Sequence, residues 1–237
     1  MLDLDLLGAT RVAEIVGGLD AVFADIERSQ SRWKEASPFH CAEGCGSCCV
    51  HFEPDVLESE ALYLAFWFLS NPDQAVRDRA EALLDGRFAS PRSDPENGCL
   101  FYDPDDPYHC TVYGGRTLIC RLFAYTGDRG KDGRPRWKPC KFLPFEGLDG
   151  GLERRVQYGE EELLARFGTV PPIMSDLTAR VVGLDPDTAH VRRPLREALP
   201  GALSRVKMIM RFVSPQFDPE RPNPDLPDPE LPNPLAS

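Results

Sequence analysis

The chain has 237 residues, 42% of them hydrophobic and 27% charged, with a net charge of −11. These proportions are ordinary for a folded protein and allow one good-sized domain with its own core, while the acidic balance argues against a generic nucleic-acid binder. The opening Met1-Leu-Asp-Leu-Asp-Leu-Leu7 lacks the basic segment and cleavage site of a secretory signal. The longest apolar run, Ala61 to Leu69, falls well short of the roughly 20 residues that span a bilayer. A cytoplasmic protein with no membrane partner is therefore expected, and its thiols should stay reduced.

In chain order, residues 8 to 36 carry Val12, Ile15, Leu19, Val22 and Ile26 at helical spacing. Gly17-Gly18 weakens that helix in the middle and Ser37-Pro38 ends it. A second helix is expected from about Pro54, with Asp55, Glu58 and Glu60 near its positive end. Its later half is apolar on every side, which suits the core or a partner interface. Asn71-Pro72 opens a third helix that stops near Gly86, and the Pro/Ser/Asp-rich stretch to Gly98 reads as loop. Cys99 to Asp103 and His109 to Tyr113 have the look of short strands, and Leu118 to Tyr125 and Arg136 to Phe142 of further short elements. Helical patterns return at Glu160 to Phe167, Ile173 to Val182 and Leu195 to Phe212. From Ser214 onward eight of 24 residues are proline, in an acidic tail unable to bury a core.

The expected fold class is α+β, mostly helical with short irregular strands, organised around a cysteine-ligated metal centre. The expected divisions are an N-terminal helix over 1–37, a cysteine-cluster region over 38–145, a C-terminal helical region over 146–213 on the same domain, and a largely disordered proline-rich tail over 214–237.

The chemistry lies in the thiols. Cys41, Cys45, Cys48 and Cys49 fall within nine residues, and Cys99, Cys110, Cys120 and Cys140 follow within the next hundred. In a reducing compartment such a cluster points to metal, and thiolates select Zn²⁺ or iron–sulfur clusters. Gly44 and Gly46 let the loop turn tightly enough for its sulfurs to converge. Neighbouring side chains diverge, so Cys48 and Cys49 suit a polynuclear cluster, or two sites sharing the loop, better than one tetrahedral zinc. Eight thiols are also the number for two four-thiolate sites. His40, His51 and His109 lie beside cysteines and are candidate ligands or hydrogen-bond donors, with His190 apart. Arg116 and Arg121 are candidates for groups that compensate thiolate charge without binding the metal. Residues 110–142 carry a net charge of +6, which either balances those thiolates or docks an anionic ligand.

The ordered pattern Cys41-x3-Cys45-x2-Cys48-Cys49, Cys99-x-Phe101-Tyr102, Cys110-x2-Tyr113-x2-Arg116-x3-Cys120-Arg121 and Cys140 resembles the CxxCxxCC cysteine-cluster family, the YkgJ type, over about residues 38 to 145. The resemblance implies a zinc- or iron-chelating domain with all eight cysteines as metal ligands. Two departures stand out. The first gap holds three residues where the family name has two, and Thr117 follows Arg116 where the family usually has proline. Larger relatives, the flagellin lysine methylases, join a similar cluster to methyl transfer, but nothing outside the cysteine window here matches their remaining sequence.

Three functional classes follow. The first is a metalloprotein with an iron–sulfur cluster, ahead of Zn²⁺, for redox chemistry, metal handling or cluster-dependent modification. The second is a cluster-dependent enzyme, methyltransferase-like or S-adenosylmethionine-using, since Cys41-x3-Cys45-x2-Cys48 has the radical-enzyme spacing. A preceding helix, the lack of repeated βα units and Ser47 before the third cysteine disagree with that enzyme class. The third is a structural zinc module whose Phe66-Trp67-Phe68 run or proline-rich tail meets a protein partner.

Overall fold

The computed structural model describes residues 2–41, 44–90, 98–142 and 156–213; the proline-rich tail expected from residue 214 lies outside them. A 3₁₀ turn, Leu4–Leu7, precedes helix α1, Arg11–Ala36. Thr10 starts α1 by accepting the Ala13 N–H at 3.2 Å. Gly17 and Gly18 do not interrupt it. A Cβ on Gly18 would lie 2.6 Å from Leu184 Cδ2, and one on Gly17 would lie 2.9 Å from Leu4 Cδ1. The pair therefore admits close packing, which repays its poor helix propensity.

Strand β1, Asp55–Val56, leads into α2, Glu58–Leu69, and α3 follows over Gln74–Leu84 with Asp73 as its cap. Beyond the site lie α5, Glu160–Phe167, and α6, Met174–Val182. The last helix, α7, spans Leu195–Val213 and packs chiefly along α2. The all-apolar half of α2 belongs to this core: Phe66 and Phe68 are fully buried, so the run offered as a partner surface is instead packed inside. Antiparallel pairing of β1 with Arg193–Pro194 sets the start of α7 beside that of α2. Among the described residues, no helix is long and apolar enough to cross a membrane.

Between these helices runs the cysteine region. It contains a 3₁₀ turn, Tyr113–Gly115, a short helix α4, Leu118–Leu122, and the strands Asp128–Arg129 and Pro135–Trp137. The second of these strands pairs antiparallel with both the first and Tyr158–Gly159. The strands expected at Cys99–Asp103 and His109–Tyr113 are turns. The two stretches still face each other, with Thr111 N–H donating to the Phe101 carbonyl at 3.1 Å. Asp103 and Asp106 side chains accept the N–H groups two residues on, and His109 has φ of 51°, so the chain curls where a strand needs extension.

Two cores result. The larger gathers α1, α2, α3, α6 and α7 and includes Cys99, with Cys110 against it. The smaller is aromatic, built on Trp33, Phe39, Trp137 and Tyr158, and Cys41 and Cys140 pack on it. Trp137 lies 5.2 Å from Trp33 and 4.6 Å from Phe39, in the tilted and edge-on arrangements that aromatic pairs favour.

Candidate metal centre

All eight cysteines are free thiols, and the cysteine region lies across the seam between the two cores. Six of them, Cys45, Cys48, Cys49, Cys99, Cys110 and Cys120, line one largely apolar cavity of about 60 Å³. Cys41, Cys45, Cys48, Cys120 and Cys140 line a more open cleft of about 280 Å³ beside it. Cys49, Cys99 and Cys110 thus belong to the inner cavity alone and Cys41 and Cys140 to the outer cleft alone. Cys45, Cys48 and Cys120 border both.

Local chain geometry brings the sulfurs there. Gly44 has φ of +67°, and a Cβ on it would fall 2.1 Å from the Pro107 carbonyl oxygen. A Cβ on Gly46 would fall 2.3 Å from that of His109. The cysteine loop therefore lies flat against the 107–109 turn, and His109 Nδ1–H donates to the Gly44 carbonyl. That bond and stacking on Tyr102 fix the imidazole. Gly46→Ala is expected to lower stability by about 1–3 kcal/mol, as overpacking does. An unchanged urea midpoint would show that this contact does not form in solution.

The remaining ligand positions are held by residues far away in sequence. Cys99 N–H donates to the Cys49 carbonyl at 3.5 Å. Arg196, on α7, fastens the same two pieces: its Nε–H donates to Glu53 Oε2 at 2.6 Å and its terminal N–H to the Gly98 carbonyl at 3.0 Å. Buried Glu60 accepts the Leu57 N–H at 3.0 Å and the Leu118 N–H at 2.8 Å, joining the start of α2 to the start of α4, which carries Cys120. Arg121 is buried and donates to the Arg116 and Gly114 carbonyls and to Glu27, locking the turn before Cys120 onto α1. Arg116 borders both the cavity and the cleft. Tyr125 accepts the Cys41 N–H at 2.7 Å.

Electrostatics follow from burial and these neighbours. Burial pushes the Cys99 thiol up to about 12 and Cys120 up to about 11, and raises Cys41 and Cys110 as well. Cys48 moves down to about 7, chiefly because the Cys49 thiol donates to it, with the Arg116 charge assisting. The same bond, with burial, keeps Cys49 protonated. The Cys48 and Cys49 sulfurs are 3.8 Å apart. Two thiolates bound at about 2.3 Å to one tetrahedral ion sit about that far from each other, so the divergence expected of adjacent side chains does not occur here.

The donor set fits a soft metal: thiols from four separate pieces of chain meet a cavity too small for an organic molecule. Among the described residues, no three His, Cys, Asp or Glu side chains are yet grouped tightly enough to hold a metal ion. Full coordination therefore requires the sulfurs to draw together as their protons leave.

Fold and site define a helical scaffold carrying a metal-binding cysteine-cluster domain. Residues 40–141 match the family model CxxCxxCC, described as a putative zinc- or iron-chelating domain. No curated protein and no solved structure matches the chain. The match takes in every cysteine. It leaves out α1, α7 and Arg196, which support the site from outside. Glu60 was visible in the sequence as one carboxylate at the head of an apolar run, but Arg196 carried no signal there.

Proposed function

We propose that the chain is a thiolate-ligated metalloprotein, with an iron–sulfur cluster the preferred occupant and Zn²⁺ the other. The observation that carries this reading is the meeting of six thiols on one small, largely apolar cavity. Cysteines kept only as small hydrophobes have no reason to converge from four pieces of chain on unfilled space. Cys45, Cys48, Cys49, Cys99, Cys110 and Cys120 would hold metal in the inner cavity, and Cys41 and Cys140 would extend the ligand set outward. An iron–sulfur cluster would supply one-electron chemistry and Zn²⁺ would supply Lewis acidity or structural crosslinking.

The protein's own groups set the conditions for either. Arg116 brings positive charge to the thiols, the apolar walls exclude water, and Glu60, Arg121 and Arg196 fix the spacing of three of the four ligand-bearing segments. These are the levers through which a protein tunes a thiolate site. Preference for iron–sulfur over one zinc rests on the number of thiols and on three of them bordering both spaces, as a polynuclear centre or two adjoining sites would use. The cluster-dependent enzyme remains the second reading, favoured by the open cleft beside the thiols. The test is iron, zinc and acid-labile sulfide analysis of protein purified without oxygen, with its visible spectrum. Brown protein with iron and sulfide supports the preferred occupant. Colourless protein with one or two zinc ions per chain replaces it with zinc, and metal-free folded protein overturns the proposal.

A further inference from the structure

Cys41 is the thiol least accounted for by the inner cavity. It borders the outer cleft alone and packs on the aromatic core, where a cysteine side chain serves as readily as a small hydrophobe as it does a metal. Tyr125 decides between the two. It lines the same cleft, and its hydroxyl oxygen accepts the Cys41 N–H at 2.7 Å. A phenol that accepts one hydrogen bond still has its own proton to give. The Cys41 thiol is the partner for that proton, since the two side chains are hydrogen-bonded as well. Tyr125 therefore grips Cys41 at its N–H and at its sulfur.

The placement of Tyr125 is itself built against a backbone cost. Helix α4 ends at Leu122, and Ala124, directly before the tyrosine, has φ of 69°. Alanine is disfavoured in that left-handed conformation, lacking both the freedom of glycine and the polar side chain that helps asparagine there. Such residues persist where their surroundings over-determine them, and they cluster at functional sites. Here the chain is pinned just beyond: Thr126 Oγ1–H donates to the Leu122 carbonyl at 2.7 Å, and Gly127 N–H donates to the Pro172 carbonyl at 2.9 Å. The ring is held too. It packs on the aromatic core, and Lys34 Nζ lies 4.1 Å above it.

We propose that Tyr125 is a positioning residue for the outer thiols: it turns the Cys41 sulfur into the cleft as a metal ligand and donates an O–H···S hydrogen bond to it there. The proposal rests on the metal reading and adds to it a residue that binds no metal. A hydrogen bond to a ligating sulfur draws charge away from the metal–sulfur bond. Such bonds are among the levers that set the affinity and the potential of a thiolate site.

The experiment is titration of Co²⁺ into the full chain stripped of metal without oxygen, with absorption and circular dichroism read on the same samples. Thiolate-bound Co²⁺ shows sulfur-to-metal charge-transfer bands in the near ultraviolet, and their energy falls when a hydrogen bond to the sulfur is lost. Tyr125→Phe keeps the ring and deletes the hydroxyl. It is expected to move the band to longer wavelength and to weaken Co²⁺ binding about tenfold, the low end of what groups behind a ligand contribute. A merely structural role would weaken binding without moving the band, so an unmoved band overturns the proposal. Tyr108 lines the same cleft and stacks on Tyr113 at 4.6 Å, and Tyr108→Phe should leave the band in place; an equal shift there would count against Tyr125. In a Cys41→Ala background Tyr125→Phe should have no further effect on the band, and a shift that survives there also overturns the proposal. A ring-fluorinated tyrosine at position 125, which is a stronger donor, should move the band to shorter wavelength, and it decides the question alone if Tyr125→Phe does not fold. Folded wild-type protein with no charge-transfer band overturns the metal reading and this proposal with it, whereas a wild-type band indifferent to Tyr125 overturns the proposal alone.

Discussion

Cys48→Ala is expected to lose bound metal and thermal stability together. Cys48 borders both the inner cavity and the outer cleft, and its sulfur lies 3.8 Å from that of Cys49, so its loss removes a donor from either arrangement of sites. Binding energy at such centres is folding energy, because the unfolded chain does not present its thiols as a preformed site. A ligand present at a thousand times its Kd contributes about 4 kcal/mol, and its loss lowers Tm by about 8–16 °C for a chain of this size. Cys140→Ala is the companion variant. Cys140 borders only the outer cleft and packs on the aromatic core, so this variant should keep the inner metal and melt close to the wild type. Metal analysis and melting of both proteins check the pair. Retained stoichiometry and Tm in Cys48→Ala would contradict a metal centre here. Complete metal loss from Cys140→Ala would show that inner and outer thiols form one indivisible centre.

What the sequence disclosed and what it hid divide along a physical line. Helix α1 was legible because Val12, Ile15, Leu19, Val22 and Ile26 repeat along one buried face. Helices α2 and α3 were legible from their start and stop signals, and α5, α6 and α7 from their helical patterns, to within a few residues of their ends. The α+β, mostly helical class follows from these elements. The cysteine loop was legible from its spacing and its two glycines, which have a positive φ at Gly44 and a close approach at Gly46. The stretches around Cys99 and His109 were misread as strands because short runs of apolar, aromatic and β-branched residues stand there between turn-rich segments. The turn chemistry of Asp103 and Asp106 outweighs that strand preference. Least legible were the supports. Arg196 meets Glu53 across 143 residues and Gly98 across 98, and Lys34 enters the cleft from a helix that ends before the first cysteine. Such pairings are products of the tertiary fold, and nothing in the local sequence marks them.

Glu60 is the support whose removal should cost most without touching a thiol. Its carboxylate is 2% exposed and accepts two backbone N–H groups, one at the head of α2 and one at the head of the helix that carries Cys120. Arg192 approaches only to 4.0 Å, so hydrogen bonds rather than a close ion pair compensate the burial. Glu60→Ala leaves both N–H groups buried and unpaired, at about 1–3 kcal/mol each, so a loss of about 2–5 kcal/mol in urea denaturation is expected. A midpoint within error of wild type would show that water replaces the carboxylate without cost. The variant should also weaken metal retention, because Leu118 and therefore Cys120 lose their anchor.

The pH dependence separates charge from hydrogen bonding at this position. Burial raises the Glu60 pKa above its ordinary value in the fold, against the lowering effect of the two N–H donors. The folded state then binds the proton more tightly than the unfolded state, so this group adds stability as pH falls through the raised folded value toward the ordinary carboxylate range. In Glu60→Gln that titration is absent. The advantage of wild type over Glu60→Gln is therefore expected to widen as pH falls from 7 toward about 4.5. Acid-driven metal loss acts on both proteins and largely cancels in their difference. A difference that stays flat or narrows over that window would mean that Glu60 is as well stabilised in its ionised form as it is in water, its two N–H donors and Arg192 having fully offset the burial.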